Sequence, residues 1–271
     1  MKECTTALVL AAGLGSRMRR EASAAPLSDA QAAAAARGLK GMIPDGRGRP
    51  FLDHVLSSLA DGGITDVCLI VGADHELIRD HYTLRPPQRI KLAFATQPSP
   101  IGTADALLAA TPWFAGGEVI VLNADNLYPV AAIAALVNLG EPGCIAFERA
   151  ALVSESNIDP ARIAAYAILT LRPDDTLAGI VEKPARDDEL AGGGDWISMN
   201  IWRFDARILA ACRDVAPSPR GELELPLAVA LAISRGVRLR AVRMRGGVVD
   251  LSNRGDILEM ARRLGDRDIQ P

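Results

Sequence analysis

Leu8-Val9-Leu10-Ala11-Ala12-Gly13-Leu14-Gly15-Ser16-Arg17-Met18 is the most informative stretch of this chain. The aliphatic run from Thr6 to Leu10 predicts a buried strand, and it breaks directly into two glycines. A strand ending in a glycine turn lets the backbone approach a phosphate chain with its N–H groups pointing inward. Leu10, Ala12, Gly13, Gly15 and Ser16 are therefore candidate nucleotide-binding positions. Arg17 can meet phosphate oxygens with its planar fork. Two rival phosphate loops lack their marks here. The Walker loop ends in Gly-Lys-Ser/Thr, which is absent. The dinucleotide fingerprint needs a small residue where Met18 stands and an acid closing a second strand, but the alanine-rich stretch Ser23 to Ala36 follows instead.

Beyond this loop, strand-like and helix-like segments alternate. Helical spacing over Arg49 to Asp61 closes at Gly62-Gly63, and Val67 to Val71 predicts a second strand. His75 to His81 predicts a short helix, Lys91 to Ala95 a strand, and Thr103 to Ala110 a helix. Val119 to Leu122 predicts a strand running into Asn123-Ala124-Asp125-Asn126, and Val130 to Leu139 a helix. This rhythm predicts an α/β fold, a Rossmann-like, mostly parallel sheet with helices on both faces and ligands at the carboxyl ends of the strands. Asp125 directly follows an apolar strand and so falls at such an end. The second half is less regular. Ala164 to Arg172 and Leu177 to Val181 read as a strand pair, Trp196 to Phe204 and Val237 to Met244 as strands, and Leu223 to Ser234 and Arg254 to Leu264 as helices. Asp29 to Arg37 reads as a surface helix.

The chain has 271 residues, nearly half of them apolar, and a formal charge of −3. That is enough chain for a substantial core, and it gives no global attraction to nucleic acid. Cys4, Cys68, Cys144 and Cys212 are scattered, without ligand spacing, and read as buried free thiols. No stretch has membrane-spanning length, so a soluble, cytoplasmic protein is expected, with no membrane partner. His54, His75 and His81 read as helix residues near the surface, and Trp196 and Trp202 as core or rim aromatics.

The chain resembles the sugar-phosphate nucleotidyltransferases, or sugar-nucleotide pyrophosphorylases, which include the thymidylyl- and uridylyltransferases acting on glucose 1-phosphate. The likeness starts at the glycine loop and continues in order. It runs through Lys40-Gly41-Met42-Ile43-Pro44, Gly48-Arg49-Pro50-Phe51-Leu52, Gln97-Pro98-Ser99-Pro100-Ile101-Gly102-Thr103-Ala104, Ala124-Asp125-Asn126, Glu182-Lys183-Pro184 and Gly221-Glu222-Leu223-Glu224-Leu225. It implies one nucleotidyltransferase domain over residues 1–271. Roughly 1–140 would bind the nucleotide and 141–271 the sugar phosphate, with no β-helix domain.

The resemblance assigns Arg17, Lys40 and Lys183 to catalysis, and Gln97, Gly102 and Thr103 to the nucleotide. Gln97 could read a pyrimidine's imide edge through one amide donor and one acceptor. UTP or dTTP leads; ATP and GTP stay open. Asn126, Glu182, Asn200, Glu222 and Glu224 fall on the sugar-phosphate side. Asp125 and Asp250 would hold Mg²⁺. Substrates would be a nucleoside triphosphate and a sugar 1-phosphate, with self-association into a homo-oligomer left open. The chain also departs from the pattern. Asp250-Leu251-Ser252-Asn253 replaces Asp-x-Gly-Thr, and Ser198-Met199-Asn200 replaces Asn-x-Gly. These changes point to a modified sugar or cyclitol phosphate as acceptor. The segment 19–39 is longer than the family norm, and a lid, an oligomer contact and no function all stay open for it. A cytidylyltransferase with another acceptor and a non-catalytic sugar-nucleotide sensor are the alternatives.

Overall fold

In the computed structural model, residues 4–20, 26–163, 166–182 and 195–271 are described. Thr6–Leu10 forms β1, with every residue after Ala7 inclusive buried, and the chain then leaves through the glycine loop into α1 (Ser16–Arg20). Next comes α2 (Asp29–Arg37), whose start is fixed by a capping box between Ser28 and Gln31 and whose end is fixed by left-handed Gly38. The helix α3 (Phe51–Asp61) buries most of its length. It is followed by β2 (Asp66–Gly72), α4 (Glu76–Leu84), β3 (Lys91–Gln97), α5 (Thr103–Ala109) and β4 (Val119–Asn123). The short β5 (Asn126–Leu127) precedes α6 (Val130–Val137).

Later elements are β6 (Gly143–Glu148), α7 (Arg149–Glu155), α8 (Pro160–Ile163), β7 (Ala167–Leu171), β8 (Leu177–Val181) and β9 (Trp196–Phe204). They end with α9 (Arg207–Asp214), α10 (Leu225–Ser234), β10 (Arg240–Met244), β11 (Val249–Asp250) and α11 (Asp256–Leu264). The main sheet runs β10-β6-β9-β4-β1-β2-β3, with β7 and β8 attached through β9. β1, β2, β3 and β4 are mutually parallel, whereas β9 lies antiparallel to β4 and β6. The sheet is thus mixed and mostly parallel, as expected. One apolar cluster built on Val9, Leu69 and Leu122 and another on Leu8, Cys68 and Val121 cover its two faces. Alternate residues of each strand feed opposite clusters, which is the two-residue period of a sheet covered on both sides.

The strand Gly143–Glu148 and the helices Arg149–Glu155 and Arg207–Asp214 add to the elements expected from sequence. All four cysteines are buried and free. Trp202 is fully buried and stacks on Phe204. His54 departs from the surface placement expected of it. Its ring is fully buried, with Nε2 3.0 Å from the buried Asp45 carboxylate. Among the described residues, no helix is long and apolar enough to cross a membrane.

Candidate active site

A cleft of about 440 Å³ opens where β1 and β4 end, beside Ser198, Met199 and Asn200 in the first half of the antiparallel β9. Leu10, Ala12, Gly13, Gly15 and Ser16 line one side of it, together with Gln97, Gly102 and Thr103. Gly15 and Gly38 both adopt left-handed backbone and meet face to face. A Cβ on Gly15 would lie 2.3 Å from the Gly38 carbonyl. The long 19–39 segment therefore ends in a cap that braces the glycine loop, with Lys40 two residues further on. Arg17 is exposed beside this loop, has no hydrogen-bond partner among the described residues, and stands close enough to Lys40 to repel its ammonium. His75, the residue preceding α4, also lines the cleft and places Nδ1 3.1 Å from the Ala11 carbonyl. It is half-buried and stands just before the helix rather than within it.

Gln97 is buried, and its amide nitrogen is fully committed: it donates to the Gly102 carbonyl at 3.0 Å and to Asp105 Oδ2 at 2.8 Å. Only its carbonyl oxygen is left to meet a ligand. The expected donor-plus-acceptor reading of a base thus reduces to an acceptor. Asp105 carries no motif in the sequence reading, yet it sets this orientation.

Asp125 follows β4, and its Oδ2 accepts from Lys40 Nζ at 2.8 Å. Burial alone would lower the Lys40 pKa, but the attraction of Asp125 outweighs it and holds the ammonium above its ordinary value. Asp250 comes in from the far end of the chain because β11 pairs antiparallel with β5, setting Asp250 opposite Asn126. Asn157 pins its backbone by bonds to both its N–H and its carbonyl. Asp250 Oδ1 accepts from Asn126 at 2.8 Å and Ser252 at 3.0 Å, and Oδ2 accepts from Arg162. Arg162 is braced in turn by Asp256 at 2.8 Å, and Asp256 also receives the N–H groups of Ser252 and Asn253. Asp250-Leu251-Ser252-Asn253 is thereby held as a tight loop. Burial, and then the neighbouring Asp125 charge, push the Asp250 carboxyl up against the pull of Arg162.

These carboxylates fit a hard divalent cation. Asp125 keeps Oδ1 without a hydrogen bond among the described residues. Asp250 Oδ2 has one further lone pair. No group of three or more metal-ligating side chains occurs among the described residues. Two carboxylates completed by waters and substrate phosphates is the usual arrangement for Mg²⁺, and a cation there would relieve the repulsion that raises Asp250.

The opposite wall carries Glu182, Glu222 and Glu224 with Asn200 and Asn126. Arg220, absent from the residues read from sequence, binds Glu224 at 2.8 Å and Glu222 at 3.0 Å and lines the same wall. The Arg-Gly-Glu-Leu-Glu run was its only available signal. Lys183 lies outside the described residues. The two walls are stitched together: Leu223 N–H donates to the Ile101 carbonyl at 2.7 Å, Ala104 N–H to the Leu223 carbonyl at 2.8 Å, and Leu225 N–H to Thr103 Oγ1 at 2.8 Å. Gly102 is required there, since a Cβ would lie 2.3 Å from the Leu223 carbonyl and its φ is +134°.

This chain is similar over nearly its whole length to several known proteins. The bifunctional protein GlmU of Methanococcus maripaludis is 27% identical over 252 residues, covering 93% of this chain and 52% of GlmU. The chain thus spans about half the length of that relative. The UTP–glucose-1-phosphate uridylyltransferase AglF of Haloferax volcanii is 28% identical over 270 residues, covering 97% of this chain and 98% of AglF. A glucose-1-phosphate thymidylyltransferase of Streptomyces antibioticus is 28% identical over 265 residues, covering 98% of this chain and 67% of its own. A crystal structure of UDP-glucose pyrophosphorylase complexed with UDP-glucose shares the fold, with a TM-score of 0.76 at 14% identity over 98% of this chain and 100% of that one. The nucleotidyl transferase family profile matches residues 6–266, and the chain belongs to that family.

Proposed function

We propose that the protein transfers a nucleotidyl group from a nucleoside triphosphate to a sugar 1-phosphate or a sugar-like cyclitol phosphate, releasing pyrophosphate. The observation that carries this reading is the meeting of Lys40, Asp125 and Asp250 in one cleft beside a glycine loop. The full-length match to the uridylyltransferase AglF supports it. In the reaction, an acceptor phosphate oxygen forms a bond to the α-phosphorus while the bond to the bridging α–β oxygen breaks. The pyrophosphate departs with that electron pair. A phosphomonoester is mostly dianionic at neutral pH, with a second pKa of about 6, so no general base is needed. Positioning and charge stabilisation carry such a transfer.

Arg17 and Lys40 grip the triphosphate, Lys40 exchanging its carboxylate partner for phosphate oxygens. Asp125 and Asp250 would hold Mg²⁺, which supplies charge neutralisation on the phosphates when bound. Arg220, and Lys183 in our reading, take the acceptor phosphate, and Glu182, Glu222 and Glu224 accept hydrogen bonds from sugar hydroxyls. The Gln97 oxygen accepts the imide N–H of uracil or thymine. Adenine and guanine also offer N–H groups, so ATP and GTP belong in the same trial. The test is pyrophosphate release across a panel of triphosphates and sugar or cyclitol phosphates with Mg²⁺. Release confined to one substrate pair, and abolished by Asp125→Asn, is expected. Failure to bind any triphosphate would sink the transferase reading.

A further inference from the structure

A run of hydrogen bonds joins the buried core to the inferred metal carboxylate. Trp202 Nε1 donates to Asn200 Oδ1 at 2.8 Å, and Asn200 Nδ2 donates to Asn123 Oδ1 at 2.7 Å. Asn123 Nδ2 donates to Asn126 Oδ1 at 3.2 Å, and Asn126 Nδ2 donates to Asp250 Oδ1 at 2.8 Å. The two ends fix the direction of everything between them. An indole N–H only donates, and an ionised carboxylate only accepts. Each amide therefore has a single acceptable orientation, because turning any one sets like atoms against each other at both neighbours. Bonds aligned in one direction polarise one another, so the last link to Asp250 is strengthened by those behind it.

The backbone at Asn200 supports a purpose for this run. Its φ is +58°, in the left-handed region where side chains other than asparagine and glycine are rare. Glycine would take that conformation more cheaply, but it would cut the run at two links. The run also crosses the site: Asn200 lies on β9, Asn123 ends β4, Asn126 opens β5 and Asp250 closes β11. We propose that Asn200, Asn123 and Asn126 are positioning residues that lock the Asp250 carboxylate for a divalent cation and tie it to the sugar-side strand β9. With Oδ1 occupied by Asn126 and Ser252, the open position on the carboxylate is confined to Oδ2. The inference rests on the metal reading above.

The test uses Mn²⁺ and the full chain, with the dissociation constant read from the electron paramagnetic resonance of free Mn²⁺. Asn200→Gly, which suits the backbone, should weaken Mn²⁺ binding about tenfold or more, as loss of outer partners of a metal ligand does. Its metal-free melting temperature should stay near that of the parent. Asn123→Ala cuts the same run, so the double variant should be no weaker than the worse single one. Unchanged Mn²⁺ affinity in Asn200→Gly, or full additivity of the two losses, overturns the proposal. Asp250→Asn separates the two levels. If it abolishes binding while Asn200→Gly does nothing, the positioning run fails alone; if it binds Mn²⁺ normally, the metal reading itself fails.

Discussion

Lys40 Nζ lies 2.8 Å from Asp125 Oδ2, pairing the residue that would grip a triphosphate with the residue that would hold its metal. Each is the other's counter-charge here, and in the proposed reaction each would keep that role until polyanion and cation arrive together. Two charges already in place are then exchanged for two partners, and neither side chain faces the cleft uncompensated.

Lys40→Met should therefore lower kcat/KM for the triphosphate by about 10²-fold or more, the usual scale for a lost charge-stabilising donor. Stability should fall by no more than about 1 kcal/mol, since the two side chains are 21% and 28% exposed and solvent screens the pair. Steady-state kinetics and urea unfolding separate these effects. A large stability loss with intact turnover would show the pair to be structural.

Arg220→Ala should raise KM for the sugar phosphate at least about tenfold and leave KM for the triphosphate near its starting value, because the guanidinium lies on the wall carrying Glu222 and Glu224. Arg220→Lys should restore only part of the loss, as an ammonium lacks the planar fork. Equal effects on both substrates would place Arg220 elsewhere in the reaction.

The two glycines of the loop should behave differently. Gly15→Ala meets the Gly38 carbonyl at 2.3 Å on a backbone with φ +58°, and should cost about 1–3 kcal/mol. Gly13→Ala meets nothing within 4 Å and should be near neutral in stability. Urea midpoints for the two variants decide this, and equal losses would refute the brace between Gly15 and Gly38.

Burial, against the hydrogen bond that the ring donates to Asp45, lowers the His54 pKa below its ordinary 6.5. The unfolded chain then binds a proton near pH 6.5 that the folded chain refuses, so this group's contribution to stability is lost as pH falls through and below 6.5. The stability advantage of the parent over His54→Gln should accordingly shrink between pH 7.5 and 5.0, at most by about 1.4 kcal/mol per pH unit. An advantage that grows on acidification would mean that the folded ring is charged.

What could be read in the sequence was local. β1, its glycine loop and the placement of Asp125 after Val119–Asn123 follow from aliphatic runs broken by polar residues. The cap at Ser28 and Gly38 encloses the alanine helix where composition placed it. The strand Gly143–Glu148 was hidden because its buried run is short and, although Gly140 to Gly143 marks a turn before it, no turn residue separates it from the helix that follows. The antiparallel course of β9 depends on partners far away in the chain. Arg162 carries no motif, since its role exists only once Asp250, 88 positions further on, has been brought against it, and Asn126 meets that same carboxylate across 124 positions. Gln97 was found for its chemistry, but its orientation is dictated by Asp105, eight positions on, across a turn.

The backbone stitching between Ile101–Ala104 and Leu223–Leu225 has a consequence for engineering. In the proposed reading, base choice and sugar choice fall on walls that share main-chain hydrogen bonds, and Gly102 leaves no room for a side chain between them. Exchanging one half of the molecule for that of a relative would import a new Leu223 neighbourhood against an old Gly102 turn. New substrate pairs should thus come more readily from point changes within each wall than from shuffled halves, because the seam, unlike the pockets on either side of it, is made mostly of backbone.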